Sequence, residues 1–65
     1  MFNLNNFNAM LAKKGYTKTQ LARELNITSS SLHRKIEKGG SFNIVEIRKM
    51  VAIFGKEEVF NSLFY

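Results

Sequence analysis

Residues 17–39 read TKTQLARELNITSSSLHRKIEKG, and this stretch decides the fold. Thr17 is a helix-cap residue with Gln20 three positions on, the spacing of a capping box. Leu21, Ala22 and Leu25 then recur at helical spacing and predict a helix over residues 18–25. Asn26 and Ile27 break the period. Thr28 is a second cap residue, and the helix it opens, residues 29–38, turns only Leu32 and Ile36 inward. Ser29, Ser30, Ser31, His33, Arg34, Lys35 and Lys38 are left polar or basic. The stretch is therefore two short amphipathic helices joined by a tight turn, the second held by two anchors and otherwise turned outward.

Working outward, the four glycines fall where helices would stop, and proline is absent. A first helix is expected from residue 4 or 5 to residue 14, with Phe7, Met10, Leu11 and Lys14 on one face and Gly15 as its stop. Gly39 and Gly40 end the third. Asn43 and Glu46 form another capping box for a fourth helix over residues 44–54, where Ile44, Ile47, Val51 and Phe54 keep the period and Gly55 closes it. The remainder, KEEVFNSLFY, opens on acidic residues that suit a helix N-terminus and carries Val59, Phe60, Leu63 and Phe64 at helical spacing. No segment alternates like a strand. The expected class is all-α, a five-helix bundle whose second and third helices form a helix-turn-helix.

At 65 residues without cysteine, the chain is expected to be one domain spanning residues 1–65, with neither disulfide nor thiolate metal site to staple it. Burial alone must hold it, and 45% apolar residues with six Phe provide the material. Neither a secretory leader nor a membrane span is legible, so a cytoplasmic protein, nucleoid-associated when bound to DNA, is expected. The net charge of +5 is unevenly placed. Residues 1–40 hold seven Lys or Arg against two Glu, while residues 41–65 hold three of each. The whole excess lies in the half that contains the two-helix motif, as expected for a surface facing a polyanion.

In a DNA-binding helix-turn-helix the second helix enters the major groove with its N-terminal residues nearest the base edges. Ser29, Ser30, His33 and Arg34 are accordingly the candidate base contacts, with Arg34 the strongest because a guanidinium can grip guanine O6 and N7 together. Lys18, Gln20, Thr28, Lys35, Lys38, Ser41 and Asn43, at helix starts and at the far end of the motif, are the candidate phosphate contacts. Thr28, Ser29 and Ser30 also suit simple capping. Glu37 is awkward beside phosphates and is expected to face away or to pair with a base.

YTKTQLARELNITSSSLHRKI, with the following GGSFNIVEIRKMVAIFG, resembles the small bacterial and phage repressor domains of the lambda-repressor and Cro type, the XRE family. The resemblance implies a five-helix lambda-repressor-like bundle, Ala22 packed closely on the adjoining helix, and a recognition helix starting at Thr28 or Ser29. It also implies a Phe packed ahead of the fourth helix and dimeric binding to palindromic or pseudo-palindromic operators. The C-terminal EEVFNSLFY is similar to the acidic-then-aromatic last helix of that type, which makes Phe60, Phe64 and Tyr65 candidates for a dimer interface. Family members often carry glycine in the turn where Asn26 stands.

The implied partners are double-stranded operator DNA and a second copy of the chain, with no cofactor, metal, membrane or small-molecule substrate. An enzyme is not expected: the chain has no Asp, no Cys and one His, and no Gly-rich phosphate loop. The competing expectation is a protein-interaction module, antitoxin-like or anti-repressor-like, that uses the C-terminal aromatic helix.

Overall fold

The computed structural model describes residues 2–64. Five helices follow in order: α1 (Leu4–Lys13), α2 (Lys18–Glu24), α3 (Ser29–Glu37), α4 (Ile44–Phe54) and α5 (Lys56–Leu63). No strand occurs among the described residues. The two capping boxes form as the spacing predicts: Thr17 accepts the Gln20 N–H at 3.1 Å while the Gln20 side chain accepts the Thr17 N–H at 2.9 Å. Asn43 and Glu46 make the same exchange at 2.8 and 2.9 Å. Thr28 caps α3 by accepting the Ser31 N–H at 3.1 Å. A fourth cap was not foreseen. Asn3 accepts the Asn6 N–H at 3.0 Å and starts α1, while its own N–H donates to the Ser62 carbonyl at 2.6 Å and ties the chain's beginning to α5.

Helices α1, α2 and α3 each end one residue before the position that periodicity suggests, for one reason. The residue past each cap turns left-handed, and two backbone N–H groups fold back onto the last turn, the Schellman arrangement. After α2 that residue is Asn26, at φ 61°, with its N–H on the Arg23 carbonyl and the Ile27 N–H on the Ala22 carbonyl. A left-handed residue with a full side chain costs about 1–2 kcal/mol, which asparagine partly escapes. Asn26→Val is therefore expected to lower the unfolding free energy by about 1–2 kcal/mol and Asn26→Gly to leave it unchanged or raised, read from urea denaturation of each variant.

All five helices contribute to one core, in which Phe7, Leu21, Met50 and Val59 are fully enclosed. The most extensive seams are α1 on α5, α4 on α5 and α2 on α3. Thus α1, α4 and α5 form a platform and α2 with α3 a two-helix unit set on it. Ala22 is 2% exposed and lets α2 approach closely. Phe7 lies between Phe2 and Phe42, with ring centroids 5.4 and 6.0 Å away. Phe42 thereby packs just ahead of α4, and the Phe2 ring fills the space a Cβ on Gly40 would need.

Two apolar stripes are turned differently from expectation. On α4, Phe54 faces the core as expected, but Ile44 is 62% exposed and Ile47 and Val51 are half-buried, whereas Met50 and Glu46 face inward. Glu46 can be buried because its carboxylate is paired, and this rolls α4 so that Met50 points inward. On α5 only Val59 and Leu63 of the four apolar positions face the core; Phe60 and Phe64 are exposed and meet edge to face at 5.4 Å. Ser62 takes the remaining inward position, donating to the Glu58 carbonyl at 3.0 Å. Lys14, expected on the inner face of α1, is exposed.

An exposed ion pair of 2.7 Å joins Lys13 on α1 to Glu58 on α5. The Glu58 carboxylate holds the Lys13 ammonium above its ordinary value of 10.5 by hydrogen bonding and charge attraction. Because the folded value of Lys13 is the raised one, its contribution is present at neutral pH and is lost as pH rises through the lysine's titration.

Candidate nucleic-acid interface

The α2–α3 unit presents α3 outward. Leu32 is buried and Ile36 half-buried against the core, so at helical spacing Ser30 and Arg34 form the crest of the opposite side. Ser29, Ser30, His33, Arg34 and Lys38 are all exposed. Ser30, His33 and Arg34 are therefore accessible along the outer side of α3, while Ser29, at helical spacing with Leu32 and Ile36, is exposed at the helix start and lies off that line.

Their commitments differ. His33 Nε2 lies 3.0 Å from Glu37 Oε1, four residues on, with both side chains well exposed. Glu37 thus pairs with a nearby base, as its awkward charge suggested, and the base is His33 rather than Arg34. Arg34 has no acidic partner among the described residues. Arg34 lines a shallow concavity with Ser31, Lys35, Lys38 and Ser41, in which Arg34 and Lys38 are the cations without an acidic partner among the described residues.

The candidate phosphate contacts fall into two groups. Lys18, Gln20, Lys38, Ser41 and Asn43 are exposed. The Gln20 and Asn43 side-chain oxygens are spent on their capping boxes, which leaves the amide NH2 of each to donate outward. Thr28 and Lys35 are engaged within the fold. The Thr28 hydroxyl accepts from the Ser31 N–H and donates to Ser31 Oγ at 3.1 Å, so both its functions are used. Lys35 turns toward α4, its Nζ 3.3 Å from Glu46 Oε1, with 27% of its side chain exposed. The partnership of Lys35 with Glu46 was missed from sequence, where Glu46 reads only as the reciprocal member of a capping box.

Elsewhere, Phe60 and Phe64 join Ile44, Ile47 and Val51 along an apolar groove between α4 and α5 that Arg48 and Lys56 also line. The Lys56 ammonium stands 5.9 Å from the Phe60 ring centroid. Tyr65, grouped with these aromatics in the sequence, lies outside the described residues. Among the described residues no three His, Asp or Glu side chains gather to hold a metal, and no helix is long and apolar enough to cross a membrane.

Residues 8–39 match the family model described as bacterial regulatory protein, Fis family. The matched span takes in the second half of α1, all of α2 and α3, and ends at Gly39. It is a helix-turn-helix family, but not the lambda-repressor and Cro type that the motifs resemble; what the match and the resemblance share is the motif itself. No curated protein and no solved structure is detectably similar to the chain. The match supports a helix-turn-helix DNA-binding domain, and α2 and α3 are the two helices of that motif.

Proposed function

We propose that the chain is a sequence-specific regulator of transcription that binds double-stranded DNA, a repressor or Cro-like protein of phage or prophage type that occupies an operator and excludes polymerase. The observation that carries the reading is Arg34, exposed on the crest of α3 and free of any acidic partner among the described residues, while Glu37, on the same helix, lies against His33. In this reading Ser29, Ser30, His33 and Arg34 meet base edges, and Lys18, Gln20, Lys38, Ser41 and Asn43 meet phosphates. Thr28 positions the helix start by capping it. Selecting bound sequences from a random pool of double-stranded DNA tests the proposal. A recurring half-site with guanine at the Arg34 position is expected, and an unenriched pool would refute sequence reading.

Operators are two-fold when regulators are dimers, and the α4–α5 groove supports dimerisation as the finer part of the proposal. Phe64 is 59% exposed and Phe60 41% beside the exposed Ile44, a contiguous apolar face on the neutral half of the chain. Phe64→Ser is expected to shift the protein toward monomer in sedimentation and to weaken binding to two-half-site DNA, while binding to a single half-site and the helical content are retained. The same groove favours the second reading, a module that binds a partner protein. That reading prevails if the unmutated chain shows no salt-sensitive DNA binding at low ionic strength.

A further inference from the structure

We infer that Lys35, although basic and on the recognition helix, is not a phosphate ligand: with Glu46 it forms a positioning pair that fixes the end of α3 against α4 and keeps one positive charge off the DNA. The inference rests on the DNA-binding reading above. Glu46 is among the most buried polar side chains, with 5% of its side chain exposed, and the same Oε1 that lies 3.3 Å from Lys35 Nζ accepts the Asn43 N–H at 2.9 Å. A carboxylate withdrawn from water needs such partners. Were Lys35 to swing to a phosphate, Glu46 would keep a single N–H while a polyanion approached, so the swing is opposed twice. The Lys35 backbone works in the same direction, its carbonyl accepting the Gly40 and Ser41 N–H groups at 3.0 and 3.1 Å. One residue therefore holds the loop through its main chain and α4 through its side chain. This junction lies where α3 has no extensive seam with α4, so the pair sets how the far end of the recognition helix sits relative to Ser41 and Asn43.

The consequence is countable. Each phosphate neutralised by a cation adds about 0.9 to the slope of log affinity against log salt. The experiment measures that slope, per protomer bound, for the full chain on random-sequence double-stranded DNA, comparing the unmutated protein with Lys38→Met, Lys35→Met, Glu46→Gln and the Lys35→Met/Glu46→Gln double variant. Lys38→Met is expected to lower the slope by about 0.9, and Lys35→Met to leave it unchanged. Glu46→Gln keeps an oxygen for the Asn43 N–H but no charge for Lys35, so the released lysine is expected to raise the slope by about 0.9 and to narrow the gap between selected and random DNA. The double variant returns to the unmutated slope, and it keeps the test open if Lys35→Met alone fails to fold with a buried carboxylate unpaired. A slope reduced by Lys35→Met or by the double variant to the extent seen for Lys38→Met would overturn the inference. An unmutated chain with no salt-dependent binding at all would instead overturn the DNA-binding reading. The positioning pair would then be judged by thermal melts, where it requires the double variant to be more stable than Lys35→Met.

Discussion

Phe7→Ala is expected to lower the stability of the bundle by about 3–5 kcal/mol, the cost of removing a buried aromatic and leaving its cavity. Phe7 has no exposed surface, and its ring is held between Phe2 and Phe42, so neither neighbour can close the space without giving up its own contact. The effect reaches beyond α1. Phe42 leads into the Asn43 cap of α4, and Phe2 lies against Gly40 in the loop that follows α3. For a chain of this size each kcal/mol moves the melting temperature by roughly 4–8 °C, so a fall of at least about 12 °C is expected in thermal melts followed by circular dichroism. A fall of only a few degrees would mean that the aromatic stack is not what joins the platform to the loop.

Arg34→Ala is expected to weaken binding to the selected operator by about 1–3 kcal/mol, roughly 5- to 140-fold, and to relax preference at one base pair. Two features set this apart from loss of an ordinary surface cation. The side chain is on the crest of α3, opposite buried Leu32, and no carboxylate among the described residues competes for it. Lys38→Ala should weaken operator and random DNA alike, because a phosphate contact carries no sequence information. The check is the ratio of affinities for the two DNAs in each variant, measured at one salt concentration. Equal losses on both DNAs for Arg34→Ala would remove it from the base-reading set.

The helix starts were legible because caps obey local rules: Thr17 with Gln20 and Asn43 with Glu46 need nothing beyond three residues of chain. Asn3 escaped because an Asn cap followed by Asn6 lacks the glutamate or glutamine that completes the box. The roll of α4 was not legible. Phe54 faces the core as its spacing predicts, but Ile44, Ile47 and Val51 keep the helical period with it as well as Met50 does, and the choice depends on Glu46 finding Lys35 on another helix. The same distant pairing explains why Lys35, read as a solvent-facing charge, is drawn inward. Phe60 and Phe64 fit an amphipathic stripe by spacing, yet Ser62 takes the inward position because its hydroxyl is satisfied within its own helix. The outward placement of Ser30, His33, Arg34 and Lys38 on α3 was legible, since Leu32 and Ile36 face the core.

The Asn3 to Ser62 hydrogen bond and the α1–α5 seam beneath it join parts of the chain separated by nearly its whole length, whereas α2 and α3 meet across a turn of a few residues. Loop-closure entropy makes these two associations unequal in kind. The two-helix unit assembles from neighbours and depends on the left-handed Asn26 for its angle, while the platform must bring both ends of the chain together before its seam repays the cost. A substitution at the α1–α5 seam thus acts chiefly on whether the chain closes, and one at Asn26 on the angle at which an already local unit is presented.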